Sequence, residues 1–267
     1  MDRKQAQVAE QGLVTRLDER GVGWLTINRP DRMNALDGAS ADQLVATLAE
    51  WSESPDVRVV VITGVGKAFS TGADIVDMAQ AEPPKDAEEA ASRAAQTIDG
   101  GSNLARAVRD TRVPVIAAVN GAAAGVGASL AIAADLIYAS EKAYFLLPFV
   151  NIGLMPDGGA TATVAAAIGR ARAAAVALLG EKLSAGDAFA AGLITAVVAP
   201  DELDAVVDAA AEKIAAKPRR AMELTKAALN GSSLAGLEDA FARERSGQIE
   251  LLQSDEFRSA IAQFSTR

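Results

Sequence analysis

The chain has 267 residues and a formal net charge of −9, and it contains neither histidine nor cysteine. A Ser-His-Asp or Cys-His hydrolase, the usual zinc site and an iron–sulfur cluster each need one of the missing residue types, so the composition excludes them. The negative charge and the 4% aromatic content argue against a nucleic-acid partner, because phosphates need a basic face and bases stack on aromatic rings. Acid–base chemistry is left to carboxylates, lysine, tyrosine, backbone groups or water.

The N-terminal residues Met1 to Gln11 are polar. The longest apolar stretches end at a charge or a glycine, well short of the roughly 20 residues of a membrane span. We therefore expect no signal peptide, no membrane partner and a cytoplasmic location.

The first half of the chain alternates apolar runs with amphipathic segments. This alternation favours an α/β core in which helices join parallel strands. The predicted elements up to residue 119 are a hairpin over 13–17 and 22–28, a helix over 37–51, a strand over 57–62, a surface loop over 80–90, a helix through Leu104 and Val108, and a strand over 113–119.

The second half continues the alternation up to Pro200, where the strand signals stop. Residues 201–264 indicate three or four helices, which predicts a core over 1–200 and a helical region over 201–267. The predicted elements before Pro200 are a helix over 124–134, strands over 136–138 and 143–147, a helix from Gly158-Gly159 to Ile168, a helix over 170–179, a short helix ending at Gly192, and a strand over 193–199.

Residues 67–75 form the first of three strand-to-helix junctions that are rich in small residues. Gly72 permits a tight turn, and the amides after it would point outward at a helix start, where free amides bind negative charge. The alternative is an ordinary loop in which Asp74 interacts favourably with the helix dipole.

Residues 120–129 form the second junction, and they are almost entirely glycine, alanine and serine. A ligand can approach such a backbone closely, and the amides of Gly125-Val126-Gly127 could supply half of an oxyanion hole. The alternative is close helix packing by small residues. A nucleotide phosphate site is disfavoured, because neither of the usual glycine-rich phosphate-binding patterns is present.

Residues 153–161 form the third junction, in which Asp157 lies between Pro156 and Gly158 just before a helix. A carboxylate on a rigid turn is well placed to move a proton. The alternative is a structural role as the N-cap of that helix.

In this order and at these separations, the three junctions resemble the crotonase superfamily, also called the enoyl-CoA hydratase/isomerase family. The resemblance covers nearly the whole chain. It implies a spiral of ββα turns followed by a C-terminal helical region that assembles trimers, often stacked as hexamers. The stretches that carry it are 28–36, 68–75, 114–131, 134–136, 180–185, 191–194 and 254–258.

The resemblance also implies a coenzyme A thioester as the ligand, with coenzyme A as part of the substrate and no separate cofactor or metal. By motif position, the backbone amides of Ala73 and Val126 would form the oxyanion hole that stabilises the enolate. Val126 replaces the glycine that is common there, and its amide still serves as a donor provided that the backbone does not require a positive φ.

The coenzyme A moiety would pass the basic residues near these motifs. We expect Arg29, Arg32 and Lys67 to contact its phosphates, and the alternative for each is ordinary surface charge. The motif positions Ala73, Asp74 and Ile75 are also assigned to the coenzyme A site by the resemblance.

The chain departs from the hydratase pattern at the two glutamates that deliver water in that branch. Their positions are occupied by Ser129 and Phe149, neither of which is a carboxylic acid. Asp157 remains, and its Pro-Asp-Gly turn is most similar to the epoxyphenylacetyl-CoA/enoyl-CoA isomerase group. One carboxylate is enough to shuttle a proton in an isomerisation. The dehalogenase branch needs a histidine and is excluded.

The sequence therefore favours an enoyl-CoA isomerase in which Asp157 carries the proton. An atypical enoyl-CoA hydratase of fatty-acid β-oxidation and a non-catalytic acyl-CoA binder remain alternatives. The acyl group is not defined by the sequence.

Overall fold

The computed structural model describes the backbone of residues 6–10 and all of residues 12–263. Within that part of the chain, eleven strands form two sheets: β1 Ala6–Glu10, β2 Leu13–Leu17, β3 Val22–Ile27, β4 Val59–Gly64, β5 Ala68–Ser70, β6 Val115–Val119, β7 Ala122–Ala124, β8 Leu136–Ser140, β9 Tyr144–Leu146, β10 Leu183–Ser184 and β11 Ala196–Val198.

The α-helices of the described residues surround these sheets. Short 3-10 turns lie at Pro30–Arg32 and Phe149–Ile152. The helices are α1 Gly38–Glu53, α2 Ile75–Gln80, α3 Ala87–Asp110, α4 Val126–Ile132, α5 Ala160–Leu179, α6 Ala185–Ala191, α7 Leu203–Ala215, α8 Arg219–Ser233, α9 Leu237–Leu251 and α10 Asp255–Ala262.

The two sheets grow together as the chain spirals. The larger has the order β1-β2-β3-β4-β6-β8-β11 and is parallel from β3 onward. The smaller has the order β10-β9-β7-β5, in which β5, β7 and β9 are parallel. The pairs β4/β5, β6/β7 and β8/β9 each add one strand to each sheet, which confirms the predicted α/β spiral with parallel strands.

Strands β4 and β6 are buried on both faces, which explains their uninterrupted apolar sequences. Val60 and Ile62 face the core formed with α1 and α3. Val59 and Val61 face the opposite side, where α7 packs against them through side chains that include Val207.

Helix α7 is therefore part of the packing of the larger sheet, although it follows Pro200. Residue 200 marks the end of the strands, and the contacts of α7 with β4, β6 and β8 cross it. The division into units at 1–200 and 201–267 stays a prediction about domain organisation. The four helices after Pro200 agree with the predicted three or four.

The predicted helix over 124–134 differs from the structure at its start. Residues Ala122–Ala124 pair with β5 and β9 as strand β7, so the helix begins only at Val126. The two helices predicted around Arg170 are confirmed: α5 is broken at Gly169, whose φ of 76° and ψ of 159° are not helical.

The predicted loop over 80–90 is shorter than expected. Helix α3 already begins at Ala87, because the side chain of Asp86 accepts a hydrogen bond from the Glu89 amide and caps it. This helix then runs for 24 residues and forms one wall of the site described below.

The last helices fold back over the core. Helix α9 packs on α3 and α5, and α10 packs on α2 and on the 3-10 turn at Phe149–Ile152. They cover the region where the three junctions of the sequence analysis converge.

Candidate active site

A cavity of about 410 Å³ lies between the β5–α2 junction, the middle of α3, the start of α4 and the C-terminal helices. All three predicted junctions contribute to its wall, and α9 and α10 add residues from the far end of the chain. The lining residues that matter most for the chemistry are Ala73, Val126, Phe149, Leu154, Asp157 and Gln248.

Two backbone amides in this wall are free. Neither the N–H of Ala73 nor that of Val126 donates a hydrogen bond to any described residue, although the adjacent amides of Asp74 and Gly125 do. Leu36 N–H donates to Gly72 O and Asp74 N–H donates to Leu36 O, and these bonds fix the backbone on both sides of Ala73. The two amides are therefore available to a ligand oxygen.

Gly72 allows the two loops to meet. Its φ is +90°, and a Cβ built on it would lie 2.9 Å from Ala124 O and 3.0 Å from Val126 N. Any side chain at this position would force the loops apart. Val126 itself is helical and Gly125 takes the positive φ of 53°, so valine meets the backbone condition stated for an amide donor at this position.

Asp157 faces Val126 across the cavity wall. A Cβ built on Gly101 of α3 would lie 3.2 Å from Val126 Cγ2 and 3.9 Å from Asp157 Oδ1. The side chains of Val126 and Asp157 therefore both border Gly101, and the absence of a side chain there leaves space beside them.

The alternative role of Asp157 as an N-cap is wrong. Helix α5 begins at Ala160, and the carboxylate that accepts from its first amides belongs to Glu244 of α9. Glu244 accepts from Gly159 N at 2.7 Å and from Thr161 N at 3.0 Å. The side chain of Asp157 is thus free for another purpose.

The Asp157 side chain has one hydrogen-bonded oxygen and one unpartnered oxygen. Its Oδ2 accepts from Gln248 Nε2 at 3.1 Å. Its Oδ1 is buried and has no hydrogen-bond partner among the described residues. Burial, and then the negative charge of Glu244, raise the pKa of Asp157 from 3.8 to about 7, whereas the bond from Gln248 lowers it.

Three other aspartates line the cavity, and each is paired with an arginine. Asp37 and Asp74 lie 3.1 and 3.2 Å from Arg29, and Asp77 lies 3.5 Å from Arg32. Among the described lining residues, Asp157 is therefore the carboxylate without a cationic partner. It is the one that can accept a proton near neutral pH.

Ser129 and Phe149, at the positions of the hydratase glutamates, have structural contacts instead. Ser129 is fully buried, and its hydroxyl donates to the backbone oxygen of Asp157 at 2.8 Å. Phe149 is buried in the cavity wall and provides an apolar surface. Neither side chain can exchange a proton with a substrate carbon.

The three predicted basic residues lie near one another but differ in burial and in ion pairing. Asn34 donates to Val65 O at 2.9 Å and to Ala68 O at 2.7 Å, which ties the Arg29–Arg32 turn to the loop of Lys67. Arg29 is largely buried and held by two aspartates. Arg32 and Lys67 are exposed, and Lys67 has no ion-pair partner among the described residues.

Comparisons with known proteins identify the family. The family model described as enoyl-CoA hydratase/isomerase matches residues 18–267. The chain belongs to the enoyl-CoA hydratase/isomerase family. The crotonase resemblance inferred from the three junctions is thereby confirmed.

Relatives of this family carry both activities in their names. The chain is 33% identical over 246 residues to the 1,2-epoxyphenylacetyl-CoA isomerase of Escherichia coli, with 92% of each protein covered. It is 36% identical over 244 residues to a protein of Rhodobacter capsulatus named "Probable enoyl-CoA hydratase", with 91% of each covered. The crystal structure of an enoyl-CoA hydratase from Mycobacterium avium subsp. paratuberculosis matches with a TM-score of 0.86 and 41% identity, over 95% of this chain and 99% of that one.

Two residues of this enoyl-CoA hydratase/isomerase site were missed by the sequence analysis. Glu244 and Gln248 lie one helical turn apart on the buried face of α9, which also carries Phe241. Polar side chains at helical spacing on an otherwise apolar face would have been the available signal. Nothing in the local sequence connects them with Asp157, which lies about 90 positions earlier.

Proposed function

We propose that the protein is an enoyl-CoA isomerase that moves a carbon–carbon double bond along the acyl chain of a coenzyme A thioester. The observation that carries the proposal is the pairing of one unneutralised carboxylate, Asp157, with two free amides across a small cavity. The positions where the family's hydratases have glutamates hold Ser129 and Phe149.

The proposed chemistry uses these groups in a fixed order. The thioester oxygen accepts hydrogen bonds from the amides of Ala73 and Val126, which stabilise negative charge on it. Ionised Asp157 removes a proton from the carbon next to the carbonyl of a 3-enoyl thioester, and the electrons move to give a dienolate. The same carboxyl group returns the proton at the γ-carbon, which leaves a conjugated 2-enoyl thioester.

The apolar wall contributes by limiting competing reactions. Phe149 and Leu154 are buried and line the cavity beside Asp157. In such surroundings a dienolate is shielded from water, and the fixed amide dipoles act with little solvent screening. The wall therefore favours proton return over the addition of water.

For the coenzyme A moiety we propose Lys67 and Arg32 as the phosphate contacts, because both are exposed on adjoining loops. Arg29 has a different role in this proposal. Its guanidinium already pairs with Asp37 and Asp74, so it stabilises the β5–α2 junction beside the site. Ala73, Asp74 and Ile75 would lie along the thioester and the adjoining pantetheine.

Hydration is the second candidate, since one of the relatives above is named as a hydratase and another match is the structure of one. A non-catalytic acyl-CoA binder is the third. The isomerase is preferred because Asp157 alone among the cavity carboxylates is free to exchange a proton, whereas hydration in the family requires two such groups.

One experiment separates the three candidates. The purified protein is incubated with a panel of 3-enoyl-CoA thioesters, and conjugation is followed by the rise of the 2-enoyl-thioester absorbance. In parallel it is incubated with 2-enoyl-CoA thioesters, and 3-hydroxyacyl-CoA is measured by mass spectrometry. An isomerase converts the first panel and leaves the second largely unhydrated. Hydration faster than isomerisation would contradict the proposal, and binding without turnover would identify a binder.

We also propose the trimeric or hexameric assembly that is typical of the family. Exposed apolar side chains support it: Leu178 and Leu179 at the end of α5 are 72% and 59% exposed, and Phe189 of α6 is 52% exposed. Apolar groups of this size gain free energy when a second copy covers them. Light scattering coupled to size-exclusion chromatography should give a mass three or six times that of one chain, and a monomer would contradict the proposal.

A further inference from the structure

The side chain of Gln248 is buried against the proposed base, and nothing in the reaction described above uses it. Gln248 is 1% exposed and lies on α9, which approaches the turn of Asp157 closely. A Cβ built on the neighbouring Gly247 would lie 2.4 Å from Met155 Sδ, so α9 and the side chain of Met155 are in close contact here.

The orientation of the Gln248 amide is determined by its surroundings. Its Nε2 donates to Met155 O at 2.7 Å and to Asp157 Oδ2 at 3.1 Å. The reverse orientation would place an oxygen between two acceptors, so the nitrogen must face them. The amide thus binds one specific oxygen of the carboxylate.

We propose that Gln248 is the positioning residue for Asp157, holding Oδ2 so that Oδ1 is the oxygen that exchanges the proton with the substrate. The proposal rests on the role of Asp157 given under Proposed function. Oδ1 is the buried oxygen without a partner, and it is the one that faces the space beside Gly101.

The hydrogen bonds of Gln248 indicate more than structural packing. Its Oε1 is buried and has no donor among the described residues, which is a cost that an apolar side chain of the same size would avoid. Unsatisfied buried polar groups in native proteins are concentrated where function requires them. We attribute the presence of this glutamine to its second role, which is to fix one rotamer of the Asp157 carboxylate.

Other residues hold the backbone on both sides of Asp157. The side-chain amide of Gln248 therefore needs to fix only the carboxylate. Ser129 donates to the backbone oxygen of Asp157, and Glu244 accepts from Gly159 and Thr161. Because backbone and turn are fixed by other groups, the loss of Gln248 should affect the carboxylate selectively.

The charged surroundings of Asp157 decide how its titration responds. Glu244 faces it from α9, and Arg243 acts on Glu244. On α3 the exposed Asp99 is paired with Arg245. Helix α4 and the first two turns of α5 contain no titratable side chain. The bond from Gln248 favours the ionised form of Asp157, so its removal should raise the pKa of Asp157 further above 3.8.

The test compares Gln248→Met, which preserves the length and removes the donor, with the control Gln253→Met near the end of α9. The side-chain amide of Gln253 donates to Ile249 O, and this residue is not among those that line the cavity. For Gln248→Met we expect kcat for isomerisation to fall about tenfold with little change in KM, since misplaced catalytic groups lose rate before binding. The rising limb of the pH profile should move up by about 1 pH unit, as a lost hydrogen bond to a charged group implies.

A second readout needs no substrate. The pH at which the stability advantage of Asp157→Asn over its parent stops growing reports the titration of Asp157 in the folded protein. In the Gln248→Met background this pH should also move up by about 1 unit. This measurement tests the contact even if the protein isomerises no thioester, so a failure of the proposed function is distinguished from a failure of this inference.

Two results would overturn the proposal. One is a pH profile, and a pH at which the stability advantage of Asp157→Asn levels off, that both remain where they are without the Gln248 substitution. The other is a loss of kcat without any shift of either, because that is what a merely structural role predicts. If Gln248→Met does not fold, Gln248→Asn replaces it; its shorter amide cannot span Met155 O and Asp157 Oδ2, and the same upward shifts are expected.

Discussion

Replacing Asp157 by asparagine should lower kcat for isomerisation by about 10²- to 10⁴-fold, the usual contribution of a positioned acid–base group. Asparagine preserves the shape of the side chain and can still accept the hydrogen bond from Gln248, but it cannot take a proton from carbon. Binding should change little, because the amides and the apolar wall are untouched. Steady-state kinetics with a 3-enoyl-CoA thioester measures both quantities. Asp239→Asn, on the exposed first turn of α9, is the matched control and should retain full activity.

The same variant should be more stable than the parent above neutral pH. The pKa of Asp157 is about 7 in the folded protein and near 3.8 when unfolded. Between these values the folded state holds a proton that the unfolded state has lost, so the parent loses stability as the pH rises from 4 to 7. The loss is about 4 kcal/mol, and asparagine does not incur it.

Thermal unfolding across the pH range therefore checks the substitution twice. The difference in Tm between Asp157→Asn and the parent should grow as the pH rises from 4 to 8, in favour of the variant. An inactive variant with this gain is folded, so its inactivity cannot be attributed to unfolding. Full activity in Asp157→Asn would contradict the proposed mechanism, and a pH-independent difference in Tm would contradict the buried, titrating carboxylate.

The second large effect is expected from Val126→Pro. Proline removes the amide proton that is proposed to stabilise the enolate, and its ring occupies the space where the oxygen would lie. The loss of one such donor typically costs about 10²- to 10³-fold in kcat. Val126 is the first residue of α4, a position at which proline is well tolerated. Gly125, at φ 53° and ψ −135°, is outside the helical region that proline disfavours in its predecessor.

Val126→Ala is the control for this prediction, because it trims the side chain and keeps the amide. It should remain within severalfold of the unsubstituted protein, while circular dichroism shows that both variants are folded. Activities of the proline and alanine variants within tenfold of each other would exclude the Val126 amide from the oxyanion hole.

The sequence predicted the parts of the site that depend on local patterns. Gly72 and Gly125 stand in recognisable glycine-containing turns, and the structure uses each for a positive φ next to a free amide. Asp157 was singled out by its turn and its motif position. The strands β4 and β6 followed from apolar runs that only a doubly buried strand needs.

The contacts that set the burial, ion pairing and pKa of these residues could not be predicted, because they join distant parts of the chain. The Pro-Asp-Gly-Gly pattern is typical of an N-cap, yet Glu244 occupies that role from 85 residues away. Arg29 and Arg32 are alike in sequence and each pairs with two aspartates, and only the fold buries Arg29 while it leaves Arg32 exposed. Gln248 carries no motif at all. Propensity fixes a turn locally, whereas charge pairing and pKa values are set by tertiary neighbours.

The anchoring of the α5 N-terminus by Glu244 has a consequence for the order in which the molecule becomes complete. When a ribosome has extruded the chain as far as β11, every strand is available for pairing, but Gly159 and Thr161 still lack their acceptor. Both α9 contacts, through Glu244 and Gln248, come into existence only as the last quarter of the chain docks. A nascent chain can thus pair its strands before Asp157 has its hydrogen bond from Gln248. The proposed active site is complete only when α9 has docked.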